Sequence, residues 1–187
     1  MTMCVLGLAA GCGGGAATAA GPLLSDPGNT GYALDHAASR DRQSLAAFAA
    51  STPADPDATR RELRHLHART TASRVWTQPD GAFVLDEAVR FDNAADAGAF
   101  TRWYRGQMAA RSGQVFPVPD LAAGYAYVTG GNGRAAASTN VFVEGVVFTA
   151  GPQVFLVETG GPSPASLAPA QMLARRQSAV VDPQEAR

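Results

Sequence analysis

The stretch that most constrains this chain is a hairpin. Ser73–Thr77 (SRVWT) and Ala82–Phe91 (AFVLDEAVRF) flank Gln78-Pro79-Asp80-Gly81. Pro79 suits the first central position of a type I turn, and Gly81 supplies the left-handed residue that closes a three-residue loop. That turn sets the register: Gln78 opposes Ala82, Thr77 opposes Phe83, Val75 opposes Leu85 and Arg74 opposes Asp86. One face then carries Val75, Thr77, Phe83, Leu85, Glu87, Val89 and Phe91 and reads as core. The other carries Arg74, Trp76, Val84, Asp86, Ala88 and Arg90 and reads as half-covered.

Helices are predicted on both sides of this hairpin. Gln43 to Ala50 forms a short one, with Leu45 and Phe48 three apart. Asp55 caps a second, Pro56 sits at its first position, and it runs to about His67. Asp92 or Asn93 caps a third that runs to about Arg111, with Ala97, Phe100, Tyr104 and Met108 on one stripe and Trp103 beside it. Four strands follow: Gln114–Val118, Gly124–Thr129, about Thr139–Thr149 with a bulge at Gly145, and Gln153–Thr159. A last helix spans about Pro169 to Val180. Strands in a hairpin and a meander predict an α+β domain, its sheet of about six strands mostly antiparallel and packed by helices. Its expected limits are 23–181, with 182–187 a polar tail.

Composition narrows the function classes. With 46% hydrophobic residues the chain can bury a substantial core. Its net charge of −1 argues against a nucleic-acid partner, which calls for a basic face. Both cysteines, Cys4 and Cys12, precede the first structural element, so the body offers no disulfide, thiolate nucleophile or cysteine metal site.

Those cysteines frame the N-terminal segment. Residues 1–11 are uncharged and contain an apolar run, Met3–Ala10, too short for the roughly 20 residues of a spanning helix. They read as a signal-peptide segment. Leu8-Ala9-Ala10-Gly11-Cys12 resembles the lipobox of bacterial lipoproteins, which implies cleavage before Cys12 and its lipidation. Two departures stand out: Ala9 occupies a position usually held by Leu, and no basic residues precede the apolar run. A start site further upstream would supply the latter. The competing reading is a Gly/Ala-rich terminus that merely contains a cysteine. On the lipoprotein reading, residues 12–22 are the lipidated cysteine and a flexible tether. The helix–strand layout of the body is similar to the Mog1/PsbP-like α/β/α group, and Arg74-Val75-Trp76-Thr77, Arg90-Phe91 and Ala99-Phe100 resemble a segment of uncharacterised actinobacterial lipoproteins. This resemblance implies no catalytic set.

Within the body the candidate chemistry is sparse. His65 and His67 lie about 200° apart on a helix and cannot share a metal there. Gly130-Gly131-Asn132-Gly133 lacks the spacing of a phosphate loop and sits between strands. Gly161-Pro162-Ser163-Pro164-Ala165 lacks the second glycine of a nucleophile elbow. No metal or cofactor is expected. Glu87 is different: it falls on the apolar side of its strand, where a carboxylate must be paired, protonated or beside a cavity. It is therefore predicted to be substantially buried, as a polar point in an apolar pocket. Trp76, Trp103 and Tyr104 are candidates to line such a pocket or groove, although aromatics at this spacing also build cores.

The reading that follows is a lipid-anchored domain on the extracytoplasmic face of the cell membrane. Apart from the membrane itself, its partner would be another protein or a small apolar ligand, with no catalysis evident. The alternative is an envelope hydrolase in which Asp86, Glu144 and Glu158 converge with Glu87 in one cleft, two carboxylates about 5–10 Å apart.

Overall fold

The computed structural model describes residues 16–17, 20–28, 31–112, 114–129, 142–162 and 168–181. In chain order they form β1 (Ala16–Ala17), β2 (Pro22–Leu23), β3 (Ala33–Leu34), β4 (Arg40–Gln43), α1 (Leu45–Ser51), α2 (Pro56–His65), β5 (Thr70–Thr77), β6 (Phe83–Arg90), α3 (Ala94–Ser112), β7 (Val115–Pro117), β8 (Tyr125–Thr129), β9 (Phe142–Ala150), β10 (Gln153–Gly161) and α4 (Ala168–Val181).

The hairpin closes in the expected register. Gln78 N–H donates to Ala82 O at 2.8 Å, Gly81 N–H to Gln78 O at 3.0 Å, and Gly81 takes φ +88°. Val75 faces Leu85, Arg74 faces Asp86, and Ser73 faces Glu87. β5 begins three residues earlier than expected, at Thr70, because Thr70–Ala72 continue the ladder to Arg90–Ala88. The helix starts are set by side-chain caps. Ser44 accepts from Ala47 N–H at 3.1 Å, Asp55 from Ala58 N–H at 2.6 Å, and Asn93 Oδ1 from Asp96 N–H at 2.9 Å. Each such cap contributes about 1 kcal/mol. α2 stops at His65 rather than His67, since His67 turns into the left-handed region at φ 56°.

The chain is α+β. Among the described residues the main sheet has eight strands, in the order β3-β5-β6-β10-β9-β8-β7 with β4 also beside β5, and every pairing is antiparallel. β3 and β4 are the strands beyond the expected six. β6 and β10 lie in the middle and are buried on both sides. On one face α1, α2 and α3 cover a core of Phe48, Leu63, Val89, Phe91, Phe100, Tyr104, Met108, Tyr125, Tyr127 and Leu156. The stripe Ala97-Phe100-Tyr104-Met108 is fully buried against it. Burying each large side chain contributes roughly 1.5–3 kcal/mol.

The opposite face corrects an expectation. Trp76, Val84, Asp86 and Ala88 are buried rather than half-covered. The N-terminal segment Ala20–Leu24 lies over β6, and α4 packs beside it over β9 and β10 to complete the same core. That segment is held through its backbone: Gln153 Nε2 donates to Ala20 O at 3.0 Å, Gln177 Nε2 to Pro22 O at 2.6 Å, and Leu24 N–H to Asp86 Oδ2 at 2.8 Å. Hence Ala20–Pro22, the end of the expected tether, lies against the body; most of 12–22, all of 1–11, the tail 182–187 and the glycine turn 130–133 lie outside the described residues. The bulge expected at Gly145 is absent. Gly145 pairs in regular register with Glu158 and Tyr127. It is glycine because the Tyr127 ring lies over it: a Cβ there would sit 2.2 Å from Tyr127 Cζ.

Candidate functional site

Four residues of the body, Glu87, Trp76, Trp103 and Tyr104, were candidates for a pocket, and the structure separates them. Trp76 belongs to the layer under α4 and Ala20–Leu24. Tyr104 is fully buried on the other side of the sheet, and Trp103 is half-buried beside it, 5.7 Å from Phe100 and 6.4 Å from Tyr104 between ring centres. These aromatics build two different cores and share no groove. Cys12 lies outside the described residues.

Glu87 does reach a cavity. Its residue is fully buried at the centre of β6. It forms the floor of a groove of about 480 Å³ bounded by β4, α1, β5 and β6. The hydroxyl of Ser51, the last residue of α1, lies 2.6 Å from Glu87 Oε1 and 2.7 Å from Phe48 O, two acceptors that share its one proton. Ser73 on β5 stands directly across from Glu87. Ala38, Ala47, Val75 and Leu85 supply the apolar wall, and Arg40 and Arg42 stand exposed at the rim. The result is a concave, mostly apolar site with a small number of convergent polar groups, the usual form of a small-molecule site.

β4 explains the rim. It joins β5 at Arg40–Ser73 and Gln43–Thr71, with a register shift between them. From Arg40 to Arg42 the ordinary alternation of a strand puts successive side chains on opposite faces. Asp41 turns to the Arg74 guanidinium, whereas Arg40 and Arg42 line the groove. Sequence reading missed both arginines, and Ser51 and Ser73 with them. The RDRQ segment has no apolar alternation, so it carries no strand signal; only the alternation of Arg about Asp41 hints that one side is basic.

The other acids are placed elsewhere. Glu158 shares the Glu87 face, but it accepts the Tyr127 hydroxyl at 2.5 Å in the layer beneath α3. Burial, with Glu158 beside it, pushes the Tyr127 phenol well above its ordinary range. Asp86 and Glu144 are on the opposite face. Burial pushes the Asp86 carboxyl up to about 7; the Leu24 N–H opposes this, Glu87 adds to it, and Arg74 opposes it weakly. Burial also raises Glu144. Arg74 and Asp86 share a register pair and a face, as expected, yet Arg74 is engaged by Asp41 and Asp86 by Leu24. Of the four acids, only Glu87 lines the groove, so two carboxylates do not face each other across it. His67 Nδ1 lies 3.3 Å from Asp96 Oδ2, and among the described residues no three His, Cys, Asp or Glu side chains gather as metal ligands.

No family model and no curated protein matches the chain. It is similar to the extracellular domain of PknH from Mycobacterium tuberculosis, at 14% identity over 64% of this chain and 68% of that one, with a TM-score of 0.42. A likeness this distant assigns neither family nor function. Among the described residues no helix is long and apolar enough to cross a membrane.

Proposed function

We propose that the protein is a membrane-anchored lipoprotein of the cell envelope, of actinobacterial type with a Mog1/PsbP-like layout, whose body binds a small, largely apolar ligand. The observation that carries the binding reading is the groove with Glu87 and Ser51 at its floor and Ala47, Val75 and Leu85 on its wall. A ligand there buries apolar surface at about 25 cal/mol per Å² and needs only one polar group to fix its orientation. The anchoring reading rests on Leu8–Cys12 and on the absence of cysteine after that position. Acyl chains on Cys12 would contribute about 0.8 kcal/mol per buried CH₂. The hydrolase alternative loses ground because, among the described residues, a single carboxylate lines the groove.

Each half has its own test. Metabolic labelling with a fatty acid should mark the wild type and not Cys12→Ala; equal labelling, or none, removes the anchor. Titration with 1-octanol, an apolar chain with one hydroxyl, should shift the amide resonances of Ser51, Ser73 and Val75 saturably. Val75→Trp, which fills the wall, should abolish those shifts. Scattered or unsaturable shifts in the wild type would sink the binding reading.

A further inference from the structure

The rim of the groove points to the chemistry of the ligand's head group. Arg40 and Arg42 both line the opening on the side of β4 that faces α1. The acids nearest them in sequence are turned away. Asp41 pairs with Arg74, and Asp35 Oδ1 accepts the N–H groups of Ala37 and Ala38 at 2.9 and 3.0 Å. Arg40 spends one N–H on the neighbouring Ser39 carbonyl at 2.7 Å and has others to offer. The alternation of β4 thus sorts charge, placing Asp41 on the Arg74 side and both arginines on the groove side. Glu87, further in along the sheet on β6, is the one acid of the described lining and is bonded by Ser51.

We infer that the groove takes a free monocarboxylate with a short apolar chain, its carboxylate held at the Arg40–Arg42 rim and its chain laid along Ala47, Val75 and Leu85. This rests on the binding reading above and adds the charge of the ligand. A planar guanidinium matches a carboxylate in two parallel hydrogen bonds, which are stronger than neutral ones. A second carboxylate further along the chain would come to the Glu87 end of the groove, where the lining offers no cation, so a dicarboxylate should bind more weakly. An ammonium head would meet two cations at the mouth.

The test compares octanoate, 1-octanol, octylamine and octanedioate by calorimetric titration of the full chain carrying Cys12→Ala. Octanoate should bind about tenfold more tightly than octanol, from the added charge-assisted hydrogen bonds. Octylamine and octanedioate should bind more weakly than octanoate. In the double variant Arg40→Gln/Arg42→Gln, octanoate should fall to the level of octanol while octanol binding is kept. Both positions are exposed, so an unchanged melting temperature checks that the variant folds. If octanol binds and octanoate gains nothing, or keeps its advantage in the double variant, the carboxylate assignment fails and the binding reading survives. If neither binds, both fail. Phosphatidylglycerol and phosphatidylcholine vesicles separate a free ligand from a membrane surface. Arginine-dependent binding to the anionic vesicles that octanoate does not displace would make the rim a headgroup contact and overturn the proposal.

Discussion

Asp86 and Glu87 are neighbours in sequence, equally buried, and point to opposite faces of the same central strand. Their surroundings give them different roles. Asp86 is enclosed between the sheet and Ala20–Leu24; it holds one backbone N–H, and its Oδ1 has no hydrogen-bond partner among the described residues. Glu87 is also enclosed, but by a hydroxyl at the edge of a groove. A buried acid is therefore not by itself a binding site. What distinguishes the two is whether the layer above is continuous. Ala20–Leu24 closes one face over Asp86, whereas on the other a groove between β4 and α1 runs up to Glu87. The carboxylate of the sealed face acts on stability; that of the grooved face borders the site proposed to take a ligand.

The sharpest way to break this comparison is Asp86→Asn. With a pKa of about 7 in the folded chain, above the ordinary 3.8, Asp86 favours folding fully below about pH 4 and loses that contribution as pH rises through 7. By linkage the loss is about 4 kcal/mol, since each pH unit separating the folded from the unfolded pKa is worth about 1.36 kcal/mol. Urea unfolding from pH 4 to 8 should show the wild type falling relative to Asp86→Asn by an amount of that order. A flat difference between the two curves would mean that Asp86 is hydrated and its face is not sealed.

A smaller effect tests the sheet on the Glu87 side, away from the groove. Gly145→Ala places a methyl group against the Tyr127 ring and must displace it, weakening its bond to Glu158. Overpacking of this kind costs about 1–3 kcal/mol, readable as a lower urea midpoint. An unchanged midpoint would show that the ring is free to move. The smallest effect belongs to the groove floor. Ser51→Ala removes the hydroxyl on Glu87 and should cost about 1 kcal/mol. Glu87→Gln keeps an acceptor for Ser51 and should cost less, while changing octanol affinity. If Glu87→Gln destabilises the chain as much as a core deletion, the two acids are alike after all.

The elements visible in the sequence are those whose signals are local. The Pro79–Gly81 turn imposes its register within a few residues, so the pairing of Arg74 with Asp86 and of Val75 with Leu85 could be read directly. The α3 stripe repeats over successive turns and faces the core as expected. The burial of Glu87 followed from alternation along one strand. β3 and β4 were missed because two-residue and polar edge strands have no period to read; β5, beyond two intervening helices, organises them. The Asp86 face was misjudged for a related reason. Its cover comes from Ala20–Leu24 and from α4, towards opposite ends of the chain, and no local pattern on β6 announces either.

Gly145 shows the same division at a single residue. Glycine in a strand can mark a bulge or a close approach, and its neighbours in sequence fit both. The choice was made by Tyr127 on the adjacent strand, whose ring needs the space a side chain would fill. Local order (turn type, helix caps, alternation) is encoded by neighbours and survives reading in one dimension. The groove, its arginine rim and the sealing of Asp86 arise where distant segments meet, because burial and electrostatics depend on what packs above a residue rather than on what precedes it.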